Sequence, residues 1–422
     1  MNRTVLIIGG IIAIIIVMVA VVGFLGVGRV PSPPAAGSVE VWGFGDDENI
    51  WQDVINRFQA THQTITVTYR RFDAAGYEDM LINRLAEGKG PDVFFVPHTW
   101  VTKHRDKIFP MPQRAGAFSV SDFKSTFVDA AADDMISPAG EILGMPVFMD
   151  TLALFYNKDL FNAAGIAEPP AMWDEVATTS RMLTHLGPGG DITASGIALG
   201  SARNVEHSFE IMSALMLQKG GISSVAGKAS FGAGAGTALA FYTSFADPAK
   251  QNFSWSKSAS DSLDAFAQGT TAMMIGFAGD IERIRARNPH LNFAIAPLPQ
   301  VAASRASANW GEYFFPAVSQ QSKNKQAAWQ FIMFASSREG AVPYLAATHR
   351  PPARRDLISA GTNSTDLAVF WPAVLAARSW AVPDDTATRR LFEEAIDAVL
   401  SRTADPASAV SRLESQLRLL TP

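Results

Sequence analysis

The chain has 422 residues, no cysteine, and a formal net charge of -5, with 48% hydrophobic and 18% charged residues. That length exceeds one ordinary domain, so two globular halves plus accessory segments are expected. The lack of cysteine excludes disulfides, thiolate metal sites, cysteine nucleophiles and lipidation at a cysteine, and the mild acidity argues against a phosphate-neutralising nucleic-acid face.

Residues 5–28 carry no charge and are almost wholly apolar. As a helix, about 24 residues span roughly 36 Å, enough for a bilayer core of about 30 Å. Residues 1–28 therefore read as a transmembrane anchor. A cleaved signal peptide is the alternative, but its apolar region is shorter, about 7–15 residues, and no good small-residue cleavage site precedes Arg29. Arg3 and Arg29 lie on opposite sides of the segment, so charge alone does not orient it. Residues 29–37, RVPSPPAAG, form a semi-rigid proline-rich linker.

The next stretch alternates strand and helix. Residues 38–43 place Val39 and Val41 on one side of a strand. Asp46 and Asp47 follow at a helix start, and Ile50, Trp51, Val54, Ile55 and Phe58 recur at helical spacing. Residues 64–70 alternate again. A second helix carries Tyr77, Met80, Leu81 and Leu85 and stops at Gly88. Gly90-Pro91 then turns the chain into DVFFV, a continuous apolar run typical of a strand covered on both faces. This order predicts a parallel, doubly wound α/β lobe, whose ligand site lies beyond the carboxyl ends of its strands. Those ends are residues 42–47, 71–73 and 97–100. Further on, the pattern predicts a helix from Met172, a short strand over 293–299, a helix over 323–337, and a nearly all-helical stretch over 367–420.

Catalytic motifs are absent. There is no nucleophile elbow, zinc-protease helix, phosphate loop or dinucleotide fingerprint. The seven histidines are scattered. The carboxylate pairs Asp133-Asp134 and Asp384-Asp385 read as solvated or helix-start charges. Neither enzyme activity nor a cofactor or metal is expected. What gathers at strand ends is aromatic rings beside carboxylates and amides. A flat ring meets the C–H face of a sugar while polar groups take its hydroxyls.

Four stretches, in order, carry a family likeness. They are VEVWGFGDDENIWQDVINRFQATHQTITVTY, then YEDMLINRLAEGKGPDVFFVPHTWV, then GEILGMPVFMDTLALFYNKDLFNAAGIAEPPAMWDEV, and FAQGTTAMMIGFAGDI followed by FAIAPLPQV. The third is the most specific, with a Gly-Pro crossover, Tyr-Asn-Lys-Asp, an Ala-Gly turn, prolines and a Trp-Asp-Glu helix. Together they resemble the extracellular solute-binding proteins of ABC-type importers, the family that includes maltose- and other sugar-binding subunits.

The resemblance implies a periplasmic-binding-protein-like fold of type II. Its two doubly wound α/β lobes would be 38–143 with 300–350, and 152–293 with 351–422. Hinge crossovers would lie at 144–151 and 294–299. The resemblance further implies capture of a carbohydrate or related polyol by lobe closure, delivery to ABC permease transmembrane subunits, and a globular part held outside the cytoplasm by a single-pass anchor. A membrane-tethered sensor signalling from the same cleft to a receptor partner is the alternative. Some sugar binders carry a stacking tryptophan where this chain reads Gly276-Phe277-Ala278, which weighs against a maltodextrin-type ligand.

The candidate ligand contacts follow from that frame. They are Asp46 and Asp47 after the first strand, and His98, Thr99 and Trp100 after the third. Asp150 lies in the first crossover, and Phe277 and Asp280 follow the Ala272-Met273 segment. Trp310 and Glu312 stand where the chain re-enters the first lobe, and Arg350, Trp380 and Asp384 come later. Trp51, Trp173 and Trp329 sit on helices at core spacing and are expected to pack.

Overall fold

The computed structural model describes residues 36–112, 118–225, 228–302 and 307–420. The expected anchor, 1–28, and all but the end of the linker lie outside the described residues. Among the described residues no helix is long and apolar enough to cross a membrane.

The first sheet holds β1 (Gly37–Phe44), β2 (Ile65–Phe72) and β3 (Val93–Pro97). β1 lies between β2 and β3 and runs parallel to both. Val39, Val41 and Val93 are fully buried, as the alternating and continuous apolar patterns require. The crossovers are α1 (Glu48–Thr61), which buries Trp51, Val54, Ile55 and Phe58, and α2 (Tyr77–Ala86), which buries Tyr77, Leu81 and Leu85. Because β1 has a neighbour on each side, the winding reverses there. The loops after β1 and β3 therefore open a crevice at their carboxyl ends.

After α3 (Asp129–Met135) the chain forms β4 (Asp150–Thr151) and, one residue later, β5 (Ala153–Asn157). Helices α4 (Trp173–Leu183), α5 (Ser208–Gln218) and α6 (Ala233–Thr243) follow. Next come β6 (Met273–Gly276), α7 (Asp280–Arg287) and β7 (Phe293–Pro297). β5 is the centre of the second sheet, with β6 and β7 antiparallel on either side. This differs from the parallel winding expected for the second half. β5 follows β4 after a single residue, whereas β6 and β7 both run in the opposite sense to β5.

β8 (Asn309–Glu312) passes through Tyr313 into β9 (Phe314–Val318), which joins the first sheet antiparallel to β3. Helices α8 (Lys325–Ala335) and α9 (Arg338–Thr348) follow, then β10 (Ala377–Arg378), α10 (Asp385–Leu400) and α11 (Pro406–Leu420). β8 is the centre of a third, narrow sheet, antiparallel to β4 and parallel to β10. The strand opposite β4 is thus β8 and not 294–299, because Phe293–Pro297 lies inside the second sheet. An apolar run between prolines reports burial but not which sheet it enters. The crossing at β10 has no counterpart in the sequence reading, since two residues give no periodicity.

Residues just after 350, expected in the second half, bond instead to the segment before β4. Met149 N donates to Pro351 O at 3.0 Å, and Arg355 Nε donates to Phe127 O at 2.9 Å. That segment approaches β9 closely at Gly144, where an added Cβ would lie 2.2 Å from the Phe315 ring and 3.0 Å from Pro316 O. A larger second core collects Trp173, Phe209, Trp310, Trp380 and Phe392 from α4, α5, β8, the segment after β10, and α10.

Candidate functional site

The ends of β3, β8 and β10 meet around one imidazole. His98 opens a 3-10 turn, His98–Trp100, as the ladder between β3 and β9 ends, and its N–H donates to Tyr313 O at 3.1 Å. Its buried ring stacks on Tyr313, with centroids 4.7 Å apart and planes at 12°, and sits 5.4 Å from the Trp310 ring. Nδ1 lies 3.2 Å from Asp134 on α3. Nε2 lies 3.7 Å from Glu312, beyond hydrogen-bond reach, and has no hydrogen-bond partner among the described residues. Asp134 also accepts from the Tyr313 hydroxyl at 2.8 Å and from the Ser379 hydroxyl just past β10. Trp310 Nε1 donates to Glu312 at 2.9 Å. Burial alone would push His98 down. The facing charges of Asp134 and Glu312 outweigh it and lift the imidazole from 6.5 to about 10. Burial opposes ionisation of Glu312 as well, but His98 holds it below the ordinary carboxylate range.

A second group surrounds the end of β1. Asp46 accepts from the Tyr344 hydroxyl at 2.7 Å and lies 3.0 Å from Arg350, whose guanidinium sits 4.4 Å over the Phe148 ring. Asp47 is exposed, pairs with Arg71 at 2.5 Å, and makes no side-chain cap on α1. Asp150 on β4 is buried and accepts backbone N–H groups from Thr151 at 2.8 Å and Ala278 at 3.2 Å. Burial raises its carboxyl to about 7.

Phe277 is buried beside His207, with centroids 4.7 Å apart. Asp280 accepts from Phe277 N at 2.9 Å and His207 Nε2 at 2.8 Å, and pairs with Arg283 at 2.6 Å. Glu206, His207 and Asp280 lie close enough to surround an ion. Arg283 already grips both carboxylates, however, reaching Glu206 at 2.5 Å. Burial would lower His207, but Asp280 raises it to about 9. The trio is therefore an ion-pair network, in which a metal would have to displace both a proton and a guanidinium.

Trp100 meets solvent. It is partly exposed and lies 6.3 Å from Tyr77 at 24°. It lines a cleft of ≈ 610 Å³ with Gly76, Glu78, Asp79 and Lys103 on one side and Asp384, Thr386 and Arg390 on the other. Lys103 Nζ lies 2.7 Å from Glu78 and 2.7 Å from Asp384, so one ammonium joins both walls. Asp384 also caps α10 by accepting from Ala387 N at 2.9 Å. A larger hollow of ≈ 750 Å³ lies between α6 and the α10–α11 turn, lined by Thr243, Arg402 and Pro406. It contains none of the groups above and no strand end.

The profile of a family described as bacterial extracellular solute-binding protein matches residues 44–342. The chain belongs to that family. A protein of Brucella abortus (strain 2308), named as a binding protein, is 25% identical over 347 residues, covering 78% of this chain and 79% of the relative. The sugar-binding protein MalE of Xanthomonas citri is 21% identical, with a TM-score of 0.77 over 91% of this chain and 97% of that one. UgpB of Mycobacterium tuberculosis, solved in complex with glycerophosphocholine, is 17% identical, with a TM-score of 0.70 over 91% and 98%. These likenesses give this solute-binding protein an α/β periplasmic-binding-protein-like fold.

Of the residues expected from sequence, Trp100 and Asp384 share the cleft. His98, Trp310 and Glu312 share the buried cluster that begins two residues before Trp100. Thr99 is buried there with its hydroxyl unpartnered among the described residues. Trp310 is 0% exposed and Trp380 3% exposed, so neither presents the free face expected of a stacking ring. Trp380 packs on Phe392 and donates to Ser213 Oγ at 3.2 Å. A loop tryptophan between helices looks accessible in sequence, but here the loop is pressed onto the second core. Trp51, Trp173 and Trp329 are buried on their helices. The sequence reading missed Glu78, Asp79, Lys103 and Arg390, and took Asp134 for a solvated or helix-start charge. Glu78 and Asp79 follow the carboxyl end of β2, so the strand-end criterion pointed to them, but charges opening a helix are read as solvated.

The raised groups set the direction of a pH effect. His98 lies above its unfolded value, so its stabilisation is complete below about pH 6.5 and is lost as pH rises through about 10. Asp150 is also raised, so ionising it costs stability as pH rises from 3.8 to about 7. The melting temperature should therefore fall between pH 6.5 and 10, and His98→Gln should flatten that slope. An equal slope in the variant would show that His98 is not held protonated.

Proposed function

We propose that this protein is the ligand-capturing subunit of an ABC importer. In this reading it is held outside the cytoplasm by residues 1–28, and it passes a carbohydrate or related polyol to the permease's transmembrane subunits. The observation that carries this reading is the Trp100 cleft, where a partly exposed ring faces carboxylates at the carboxyl ends of the first sheet. A sugar would lie on the ring and give its hydroxyls to Glu78, Asp79 and Asp384. The fold alone does not choose the ligand, since MalE is named for sugar and UgpB holds a phosphodiester.

The first lobe is the β1–β2–β3–β9 sheet with its helices, and the second is the β5–β6–β7 sheet with the larger core. They are joined at β4, β8 and β10. Short crossing strands concentrate rotation in few residues, so the lobes hinge there. His98, Thr99 and Glu312 meet the ligand when the lobes part, while Asp46, Asp47, Arg350, Asp150, Phe277 and Asp280 hold the flanking loops. The ligand shifts the equilibrium only by its differential affinity for the closed form. In this reading no bond is made or broken, and the cleft only captures and releases its ligand.

Thermal-shift screening with a carbohydrate panel should find a stabilising compound, as binding to the native state alone requires. Trp100→Ala should weaken that compound's binding at least about tenfold, and by roughly 30- to 1000-fold if the ring contributes the ~2–4 kcal/mol of a stacking anchor. The same variant should leave the ligand-free melting temperature nearly unchanged. Trp380→Ala, at about 3–5 kcal/mol for an emptied core site, should lose melting temperature first. Unaltered affinity in Trp100→Ala would remove the cleft from the binding site. For the anchor, the full-length chain should stay with carbonate-washed membranes, and recovery of a soluble chain starting near Ala35 would refute it.

A further inference from the structure

Charge is the property on which polyol ligands of this fold divide, and the cleft carries a marked arrangement of it. Lys103 lines the cleft with Trp100, on the short turn Val101–His104 that follows it. Two of its three N–H donors are already directed at carboxylates, Glu78 and Asp384, each at 2.7 Å and on opposite walls. Glu78 is held in turn by His104 Nε2 at 2.7 Å. Burial would lower the Lys103 ammonium, but its two partners raise it above its ordinary value, so it stays charged and paired. Arg390, the other cation of the cleft, is mostly exposed and lies 3.8 Å from Glu394 on its own helix.

The groups behind the cleft repeat the pattern. Arg350 is matched by Asp46, and Arg389 by Glu210 at 2.5 Å and Asp385 at 3.1 Å. His98 faces two carboxylates. Asp79 adds a further acid to the cleft wall, and Asp150 is buried with only backbone N–H groups against its oxygens. Carboxylates therefore exceed cations around the junction. An anion entering here meets these carboxylates and finds the Lys103 ammonium already shared between two of them, whereas a phosphate needs uncommitted charged donors. A hydroxyl needs only an acceptor, and the walls supply several.

We propose that Lys103 determines specificity by being occupied: held between Glu78 and Asp384, it withholds its charge from a ligand, so the site takes uncharged polyols and rejects phosphorylated or carboxylated ones. Lys103 is then a positioning residue that ties the two walls together rather than a ligand contact. This inference rests on the binding-protein reading above.

The test is calorimetric titration of the full-length chain in detergent with matched probes. Glucose, maltose and glycerol are set against glucose 6-phosphate and glycerol 3-phosphate. Any uncharged probe that binds should bind at least about tenfold more tightly than its phosphorylated partner. The double variant Glu78→Gln with Asp384→Asn releases Lys103 and should shrink that ratio to about threefold or less. Adding Lys103→Met to it should restore the discrimination. A merely structural role for the bridge would weaken both probe classes alike and leave the ratio unmoved. Equal or tighter binding of a phosphorylated probe by the unmodified chain, abolished by Lys103→Met, would overturn the proposal while leaving the binding-protein reading intact. Saturable binding of none of the probes, charged or uncharged, would overturn the polyol reading and this inference with it. The ratio in the unmodified chain decides the matter even if the double variant fails to fold.

Discussion

His98 is buried between Asp134 and Glu312, and a charge so placed must be matched within its own contacts or not exist. That requirement ties together parts of the chain that are far apart in sequence. Asp134 comes from α3, Glu312 from β8, the stacking Tyr313 from the step into β9, and the Ser379 hydroxyl from just after β10. One imidazole ring therefore joins the ends of three strands and one helix. A pair of this kind adds little net stability over an apolar replacement, but removing one partner strands the other, at about 3–5 kcal/mol. Its value lies in specifying one arrangement of the junction.

The same constraint sets the character of the cleft. With Trp310 inside the buried cluster and Trp380 inside the second core, Trp100 is the tryptophan of the three that keeps solvent beside it. Its 3-10 turn is held at one end by the His98 cluster and at the other by His104 and Lys103, both bonded to Glu78. The ring is presented by a loop pinned at both ends, which limits the entropy lost when a ligand is ordered against it.

The sequence made the first sheet legible because both periodicities are strong there. Val39 and Val41 alternate, Trp51 to Phe58 recur at helical spacing, and DVFFV is apolar on both faces. The junction was harder to read. β4 and β10 are two residues each, too short for any period, and β8 reads as a polar Asn-Trp-Gly-Glu run. Direction was also hidden. Phe293–Pro297 has the apolar content of a crossing strand, and only its pairing with β5 shows that it belongs to the second sheet. For the cleft, the strand-end criterion led to Trp100, and the proline loop between C-terminal helices led to Asp384; both line it. Trp310 and Trp380 are buried instead, because whether a tryptophan is platform or core depends on what packs over it. Lys103 and Glu78 escaped notice because their meaning lies in a bridge of residues 281 to 306 positions away from Asp384.

Closure of two lobes over a ligand is the central claim, and the cysteine-free chain makes it directly measurable. Spin labels on introduced cysteines at Asn56 on α1 and Ser411 on α11, both exposed, report the separation of the halves without background labelling. A saturating carbohydrate that stabilises the protein should shift the distance distribution to a shorter, narrower population. A distribution unchanged by that ligand would contradict capture by closure.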